Sequence, residues 1–304
     1  MITPNSERKL MTRLITAEEL KQLVAADVAV VVDCRYQLSD AAAGYQDYLR
    51  GHIPGAHYVH LSKEMSGIGP ATAGRHPLPY PDNFAQLLGR IGVDQHCPLI
   101  VYDDAGGQMA ARFWWLCRWL GYDRVRLLDG GWQAWLAAGG AVSSEVPERS
   151  EAVPGYDLQP DMTLTADALR HLVAAQECLL IDARVVQRFR GESEPLDPLA
   201  GHIAGAVNHP CADNLGPDGK FLPVAQLREI FTTLLGDWSA AQVVHSCGSG
   251  VTACHNLLAM ELAGLGGSRL FAPSWSGWVA EPGNLYQQGS GGDGPVLRVE
   301  AVTG

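Results

Sequence analysis

The sequence is poor in positive charge. Its 304 residues include 22 lysines and arginines against 33 aspartates and glutamates, which gives a formal net charge of −11. Binding to a phosphate backbone needs a concentrated positive surface. The charge balance therefore disfavours nucleic acid as a partner.

Long apolar runs and paired cysteine motifs are also missing. No uncharged apolar stretch in the sequence approaches the roughly 18 residues of a membrane span, and residues 1–14 lack the apolar segment of a secretory signal. The seven cysteines are scattered, and no two are spaced as Cys-x-x-Cys. Unpaired thiols are typical of a reducing compartment. We therefore expect a cytoplasmic protein without membrane association, bound metal or cofactor.

What the chain does contain is a long internal repeat. Three motifs of the first half recur in the second half, at offsets of 149, 150 and 143 residues. The matching pairs are Thr16–Leu20 with Thr165–Leu169, Gly51–Ala56 with Gly201–Ala206, and Trp132–Trp135 with Trp275–Trp278. Nearly constant offsets over separate motifs indicate two tandem copies of one domain.

The two copies are separated by a segment without apolar periodicity. Residues 143–161 contain Pro147, Pro154 and Pro160 and read as a linker. We therefore place the domains and their flanking segment as follows: domain 1 at 12–142, domain 2 at 162–283, and a flexible, Gly/Ser-rich tail at 284–304.

Each copy alternates short apolar runs with helical patterns. The runs Val28–Val32 and Pro98–Tyr102 correspond to Cys178–Ile181 and Gln242–His245. They are too short for helices and too uniformly apolar for exposed strands, which is typical of buried parallel strands. The predicted fold class is α/β, with a central parallel sheet flanked by helices in each domain.

A cysteine follows directly after the second apolar run of domain 2. Cys247 is succeeded by Gly248 and Gly250, which permit unusual backbone angles, and a helix is predicted to begin near Thr252. Such a loop can direct several N–H groups towards one anion at a helix N-terminus. A thiolate would be stabilised there, so Cys247 is predicted to be a nucleophile. The alternative is a buried, unreactive cysteine.

Domain 1 has carboxylates in the corresponding loop. Its sequence runs Asp103-Asp104-Ala105-Gly106-Gly107, and we place Asp104 at the position of Cys247. A carboxylate cannot replace a thiolate nucleophile, so domain 1 is expected to be non-catalytic.

The loop 247–252, the two Gly-His-Ile motifs and the cysteine-free loop of the first copy resemble those of two-domain rhodanese-like sulfurtransferases. The resemblance is closest to the 3-mercaptopyruvate sulfurtransferase branch and covers residues from about 12 to 282. It implies that Cys247 takes sulfur from a small-molecule donor as a persulfide. The acceptor would be a thiol, such as thioredoxin or a low-molecular-weight thiol, or cyanide. Pyruvate leaves if the donor is 3-mercaptopyruvate.

The resemblance also implies roles for the rest of the loop. Backbone groups of Gly248, Gly250, Val251 and Thr252 would bind the donor and hold the persulfide charge. The hydroxyl of Ser249 would help to move protons. For Thr252 a plain helix N-cap is an equally good explanation.

The donor prediction depends on charge. Rhodaneses that prefer thiosulfate resemble one another in carrying basic residues in this loop, whereas loop 247–252 is uncharged, which favours 3-mercaptopyruvate. Arg188 matches the family's arginine for the donor carboxylate. A second arginine usually follows a Glu-Pro pair, but this chain has Asp197 in that region. Either Arg190 substitutes for it or the natural donor differs.

His76 resembles a histidine that the family brings from the first domain towards the loop serine; the alternative is a loop-capping histidine. Two other functions stay open: a thiosulfate:cyanide sulfurtransferase with the same intermediate, and a non-enzymatic sulfur-carrier or interaction module. A rhodanese-like cysteine phosphatase is disfavoured, because Ala253 and Cys254 stand where its phosphate-binding arginine would be.

Overall fold

The computed structural model describes residues 13–94, 97–148, 155–291 and 294–301. In domain 1 the strands form one parallel sheet in the order β1-β5-β4-β2-β3. These strands are β1 (Leu14–Ile15), β2 (Val30–Asp33), β3 (His57–Tyr58), β4 (Leu99–Tyr102) and β5 (Val125–Leu128). The helices are α1 (Ala17–Ala26), α2 (Ala43–Arg50), α3 (Leu61–Glu64), α4 (Pro81–Arg90), α5 (Gln108–Trp119) and α6 (Gly131–Ala137).

Domain 2 repeats this layout. Its parallel sheet has the order β10-β9-β6-β8, and a small antiparallel sheet has the order β12-β11-β7. The strands are β6 (Leu179–Asp182), β7 (His202–Ile203), β8 (Val207–Asn208), β9 (Val243–Ser246), β10 (Arg269–Leu270), β11 (Leu285–Gln287) and β12 (Leu297–Arg298). The helices are α7 (Ala166–Ala174), α8 (Val186–Arg190), α9 (Val224–Leu235), α10 (Ala253–Leu262) and α11 (Ser274–Trp278).

The repeat is visible in how the first helix of each domain begins. The Thr16 hydroxyl accepts the Glu19 N–H at 3.2 Å, and the Glu19 carboxylate accepts the Thr16 N–H at 3.0 Å. At the start of α7 the Thr165 hydroxyl accepts the Ala168 N–H at 3.2 Å. Both threonines therefore satisfy N–H groups that have no partner within the helix. The predicted fold class, two α/β domains with parallel sheets, is confirmed.

The flexible tail predicted at 284–304 is wrong for its described part. Strand β11 pairs antiparallel with β7, so that Tyr286 lies opposite Ile203. Asn284 is 2% exposed and donates to the Trp278 carbonyl at 2.8 Å. The segment is rich in glycine and serine, but it also contains the short strand β11, which pairs with β7 of domain 2. Residues 292–293 and 302–304 of the predicted tail lie outside the described residues.

The predicted linker is held at its start. His52 and Ser143 exchange two backbone hydrogen bonds of 2.8 and 2.9 Å. Residues 149–154 of the linker lie outside the described residues.

The strand registers correct the predicted equivalence of the two loops. Asp33 of β2 lies opposite Tyr102, and Asp182 of β6 lies opposite Ser246. The next residue is Asp103 in domain 1 and Cys247 in domain 2, so Asp103, and not Asp104, occupies the cysteine position. The segment between this strand and the tryptophan motif is one residue longer in domain 1 than in domain 2. The 143-residue offset of the tryptophan motif therefore leads to Asp104 when it is applied to Cys247.

The Asp103 carboxylate lies in a cradle of backbone N–H groups. One of its oxygens accepts from Ala105 and Gly107, both at 2.8 Å. The other accepts from Met109 at 2.8 Å and Ala110 at 2.9 Å. The side chain is fully buried at the start of α5. In domain 1 this loop therefore binds its own carboxylate as the anion.

We expect Asp103→Asn to destabilise domain 1. The amide keeps one acceptor oxygen but turns an NH₂ group towards the other two N–H groups, and each buried unsatisfied group costs about 1–3 kcal/mol. Urea denaturation should show the free energy of unfolding lowered by about 2–5 kcal/mol. The matched variant Asp104→Asn should change it by less than about 0.5 kcal/mol. Equal losses in the two variants would contradict the register given above.

Two buried histidines make stability depend on pH. Burial, with a smaller contribution from His209, lowers the pKa of His245 to about 3 and that of His255 to about 4. Between about pH 6.5 and pH 4 the unfolded chain therefore binds more protons than the folded one, and stability falls as the pH falls. Each histidine contributes up to about 1.4 kcal/mol per pH unit.

Unfolding in urea at pH 6.5, 5.5 and 4.5 measures this slope. His255→Gln should reduce the slope by the contribution of one histidine, while His171→Gln, at an exposed position, should leave it unchanged. A slope that is the same in wild type and His255→Gln would show that folding does not lower the pKa of His255.

Candidate active site

Cys247 is the first residue after β9, and its backbone is held from both sides. Its N–H donates to the Ser274 hydroxyl at 3.0 Å, and its carbonyl accepts the Trp275 N–H at 3.0 Å. The residue is 2% exposed. Helix α11 thus fixes the beginning of the loop against the end of the central strand.

The thiol points into the loop that follows. The Gly250 N–H donates to Cys247 Sγ at 3.1 Å. Gly250 has a φ of +76°, and a Cβ atom placed there would lie 2.3 Å from the Ala272 carbonyl oxygen. Only glycine therefore lets the loop curl closely enough to aim this N–H at the sulfur. In domain 1 the position of Cys247 holds the Asp103 carboxylate, which shows that this loop geometry can bind a negative charge.

Residues of domain 1 complete the surroundings of the thiol loop. His76 Nδ1 lies 2.8 Å from Ser249 Oγ, and both residues are buried. Arg112, on α5, donates to the Gly250 carbonyl at 3.0 Å and to the His76 carbonyl at 3.2 Å. Burial, followed by the charges of Arg112 and Arg75, lowers the pKa of His76 to about 4. Its imidazole is therefore neutral at neutral pH and can accept or relay a proton.

Two guanidinium groups lie beside Gly248. A Cβ atom placed on Gly248 would be 3.0 Å from Arg75 Nη2 and 3.3 Å from Arg188 Nη1. Arg188 donates to Glu194 at 3.2 and 2.7 Å, and its Nη2 lies 3.3 Å from Asp197 Oδ2. Arg75, from domain 1, forms an ion pair with Asp197 Oδ1. Arg75 and Arg188 are thus each paired with a carboxylate.

A cavity of about 230 Å³ opens at this point between the two domains. Its polar and thiol-bearing walls include Cys247, Ser249, Thr252, Arg188 and Arg75. Its apolar walls include Leu38, Met109, Val185 and Leu196, together with Cys211. The space suits a small anionic molecule with a reactive end near the thiol.

The structure brings most of the predicted site residues to this cavity. Gly248 and Val251 line it, and the hydroxyl of Thr252 makes no capping bond to α10. Arg190 is different: it is exposed and lies 3.8 Å from Glu192. Arg190 and Arg188 are two positions apart on the short helix α8, so they project to different sides. Arg190 therefore does not supply a second guanidinium to the cavity.

Sequence reasoning missed Arg75, Arg112 and Asp103. Arg75 directly precedes His76, so the placement of the histidine at the domain interface could have drawn attention to it. Arg112 is the only charged residue in the apolar stretch 109–117. A lone charge in such a stretch is a signal for a buried, functionally placed side chain.

In the part of the chain that the structure describes, no group of three or more His, Cys, Asp or Glu side chains could hold a metal ion. Within the same ranges no helix is long and apolar enough to cross a membrane.

Comparisons with known proteins agree with this geometry. The family of rhodanese-like domains matches residues 16–138 and 165–281. A probable 3-mercaptopyruvate sulfurtransferase of Pseudomonas aeruginosa is 45% identical over 275 residues, which span 89% of this chain and 96% of that protein. A putative thiosulfate sulfurtransferase, SseB of Mycobacterium tuberculosis, is 38% identical over 273 residues, spanning 88% and 94%.

A solved structure supports the same assignment. SseA of Escherichia coli, a 3-mercaptopyruvate sulfotransferase with the rhodanese fold, superposes with a TM-score of 0.75 at 29% identity, covering 87% of this chain and 99% of that chain. The resemblance carried by loop 247–252 and the two Gly-His-Ile motifs is confirmed. This chain belongs to the rhodanese family and is a two-domain sulfurtransferase.

Proposed function

We propose that this protein transfers the sulfur of 3-mercaptopyruvate to a thiol or cyanide through a persulfide on Cys247, with release of pyruvate. One observation carries the proposal: the Cys247 thiol, in contact with the Gly250 N–H, shares one cavity with the guanidinium groups of Arg188 and Arg75. A donor with a thiol at one end and a carboxylate at the other matches this separation of functions.

In the first half-reaction the Cys247 thiolate attacks the donor sulfur. A sulfur–sulfur bond forms and the carbon–sulfur bond of the donor breaks. Its electron pair stays on carbon as the enolate of pyruvate, which takes up the proton of the donor thiol. Ser249 and the neutral His76, 2.8 Å apart, are placed to relay that proton. The loop N–H groups stabilise the negative charge that then resides on the persulfide.

In the second half-reaction an acceptor thiolate attacks the outer sulfur, and Cys247 leaves as a thiolate. Thioredoxin or a low-molecular-weight thiol gives a persulfide product, and cyanide gives thiocyanate. Leu38, Val185 and Leu196 line the cavity and are 57, 52 and 47% exposed, so the site is accessible from outside. The seven cysteines are free thiols, which supports a reducing compartment such as the cytoplasm.

Thiosulfate is the second candidate donor, with the same Cys247 persulfide. It is favoured by the name of the Mycobacterium tuberculosis relative, a putative thiosulfate sulfurtransferase. We propose that domain 1 is non-catalytic, because Asp103 occupies the cysteine position there. A non-enzymatic sulfur carrier is the remaining alternative, and turnover measurements distinguish it from both enzymes.

Incubation with 3-mercaptopyruvate should add one sulfur atom to the wild-type protein in intact-mass spectrometry, and peptide mapping should place it on Cys247. Cys247→Ser should show no added sulfur and no pyruvate release. Cys211→Ser is the matched control, since Cys211 lines the same cavity, and it should retain the adduct. A wild-type protein without an adduct from either donor would rule out the enzyme function.

His76→Gln should lower kcat for pyruvate release by about 10²-fold, because it removes the proton relay while leaving the guanidinium groups in place. Since the pKa of His76 is about 4, the wild-type histidine stays neutral and active as the pH falls from 8 to 5. The wild-type kcat should therefore show no histidine inflection near pH 6.5. His171→Gln serves as the surface control. An unchanged kcat in His76→Gln would assign His76 a purely structural role.

A further inference from the structure

Asp197 is an unusual residue at the edge of the cavity, because it is a carboxylate paired with two of the arginines that line the cavity. Its side chain is 4% exposed. One oxygen pairs with Arg75 across the domain interface, and the other lies 3.3 Å from Arg188 Nη2. The Glu194 carboxylate accepts the Asp197 N–H at 3.3 Å and so holds this residue in position.

The two guanidinium groups that Asp197 joins are those beside the nucleophile loop. Both come within 3.0 to 3.3 Å of a Cβ placed on Gly248, the residue after Cys247. Together with Arg184, which also lines the cavity, they make three positive charges. These are balanced by three carboxylates, Asp182, Glu194 and Asp197. The loop 247–252 itself has no charged side chain. This side of the cavity is therefore close to neutral, although three arginines line it.

A near-neutral pocket discriminates between donors by their charge. A fixed charge interacts with a dianion twice as strongly as with a monoanion at the same distance. Since the side chain of Asp197 is only 4% exposed, water and salt screen this repulsion less than they would at the surface. The carboxylate therefore penalises thiosulfate, with two negative charges, more than 3-mercaptopyruvate, which has one carboxylate and a thiol of ordinary pKa about 8.5.

We propose that Asp197 is the residue that sets the donor class: held between Arg75 and Arg188, its carboxylate selects monoanionic thiol donors against dianionic donors such as thiosulfate. This inference rests on the proposed function, since it presumes sulfur transfer through Cys247. It also gives Arg75 of domain 1 a role, as the second guanidinium of the donor site that Arg190 does not supply. Asp197 acts on the donor through charge and through the placement of the two arginines, and does not itself react.

The test is the ratio of kcat/KM for thiosulfate to kcat/KM for 3-mercaptopyruvate, with cyanide as the acceptor. Asp197→Asn keeps the size of the side chain and one acceptor oxygen but removes the charge, and should raise this ratio by about tenfold or more. Asp197→Glu keeps the charge and should leave the ratio within about threefold of wild type. The matched control is Asp237→Asn, an equal charge change at an exposed position, which should not change the ratio.

A second variant keeps the proposal testable. In the Asp197→Asn background, Arg75→Gln removes one positive charge and should return the ratio to within about threefold of wild type. Should Asp197→Asn fail to fold, Asp197→Ser removes the same charge and takes its place. A ratio that stays constant while both rates change equally would show that Asp197 only braces the domains, and would overturn the proposal. Failure of the proposed function is a separate result: the wild-type protein would then acquire no sulfur on Cys247 from either donor.

Discussion

The acceptance of backbone N–H groups by one side chain at the end of a central strand is the interaction on which both domains depend. In domain 1 that side chain is Asp103, which accepts four N–H groups. In domain 2 the same position holds Cys247, which accepts the Gly250 N–H. One loop geometry thus serves two purposes. A carboxylate makes it a closed structural cap, and a thiol leaves it open to a cavity and able to react.

Domain 1 contributes side chains to the candidate site of domain 2. Helix α5 brings Arg112 under the cysteine loop, where it binds the Gly250 and His76 carbonyls. His76 and Arg75 then reach Ser249 and Asp197 across the interface. The candidate site of domain 2 is therefore incomplete without domain 1. A copy whose own loop is filled by Asp103 is retained in the structure as the support for its neighbour.

The sequence predicted those features that depend on local patterns. Short apolar runs, threonine caps and the Cys-Gly-x-Gly turn were enough for the α/β fold and for the position of Cys247 directly after a central strand. Such patterns could not show that Asp103, and not Asp104, corresponds to Cys247. The reason is that the segment between the strand and the tryptophan motif differs in length by one residue between the two domains. The Arg75–Asp197 pair joins residues 122 positions apart, so only the packing of the domains reveals it. The role of Arg190 stayed open in the sequence, because sequence spacing alone does not give the side of α8 that faces the cavity.

Strand β11 has a consequence for the order in which the protein is built. Tyr286 of β11 packs against the Trp275 ring at 6.1 Å, and the Trp275 N–H holds the Cys247 carbonyl. The support of the cysteine loop is therefore encoded about forty residues after the loop itself. During synthesis on the ribosome, domain 1 can fold before domain 2 is complete, and domain 2 then packs against it. Domain 2 can complete its fold only once β11 has emerged and paired with β7.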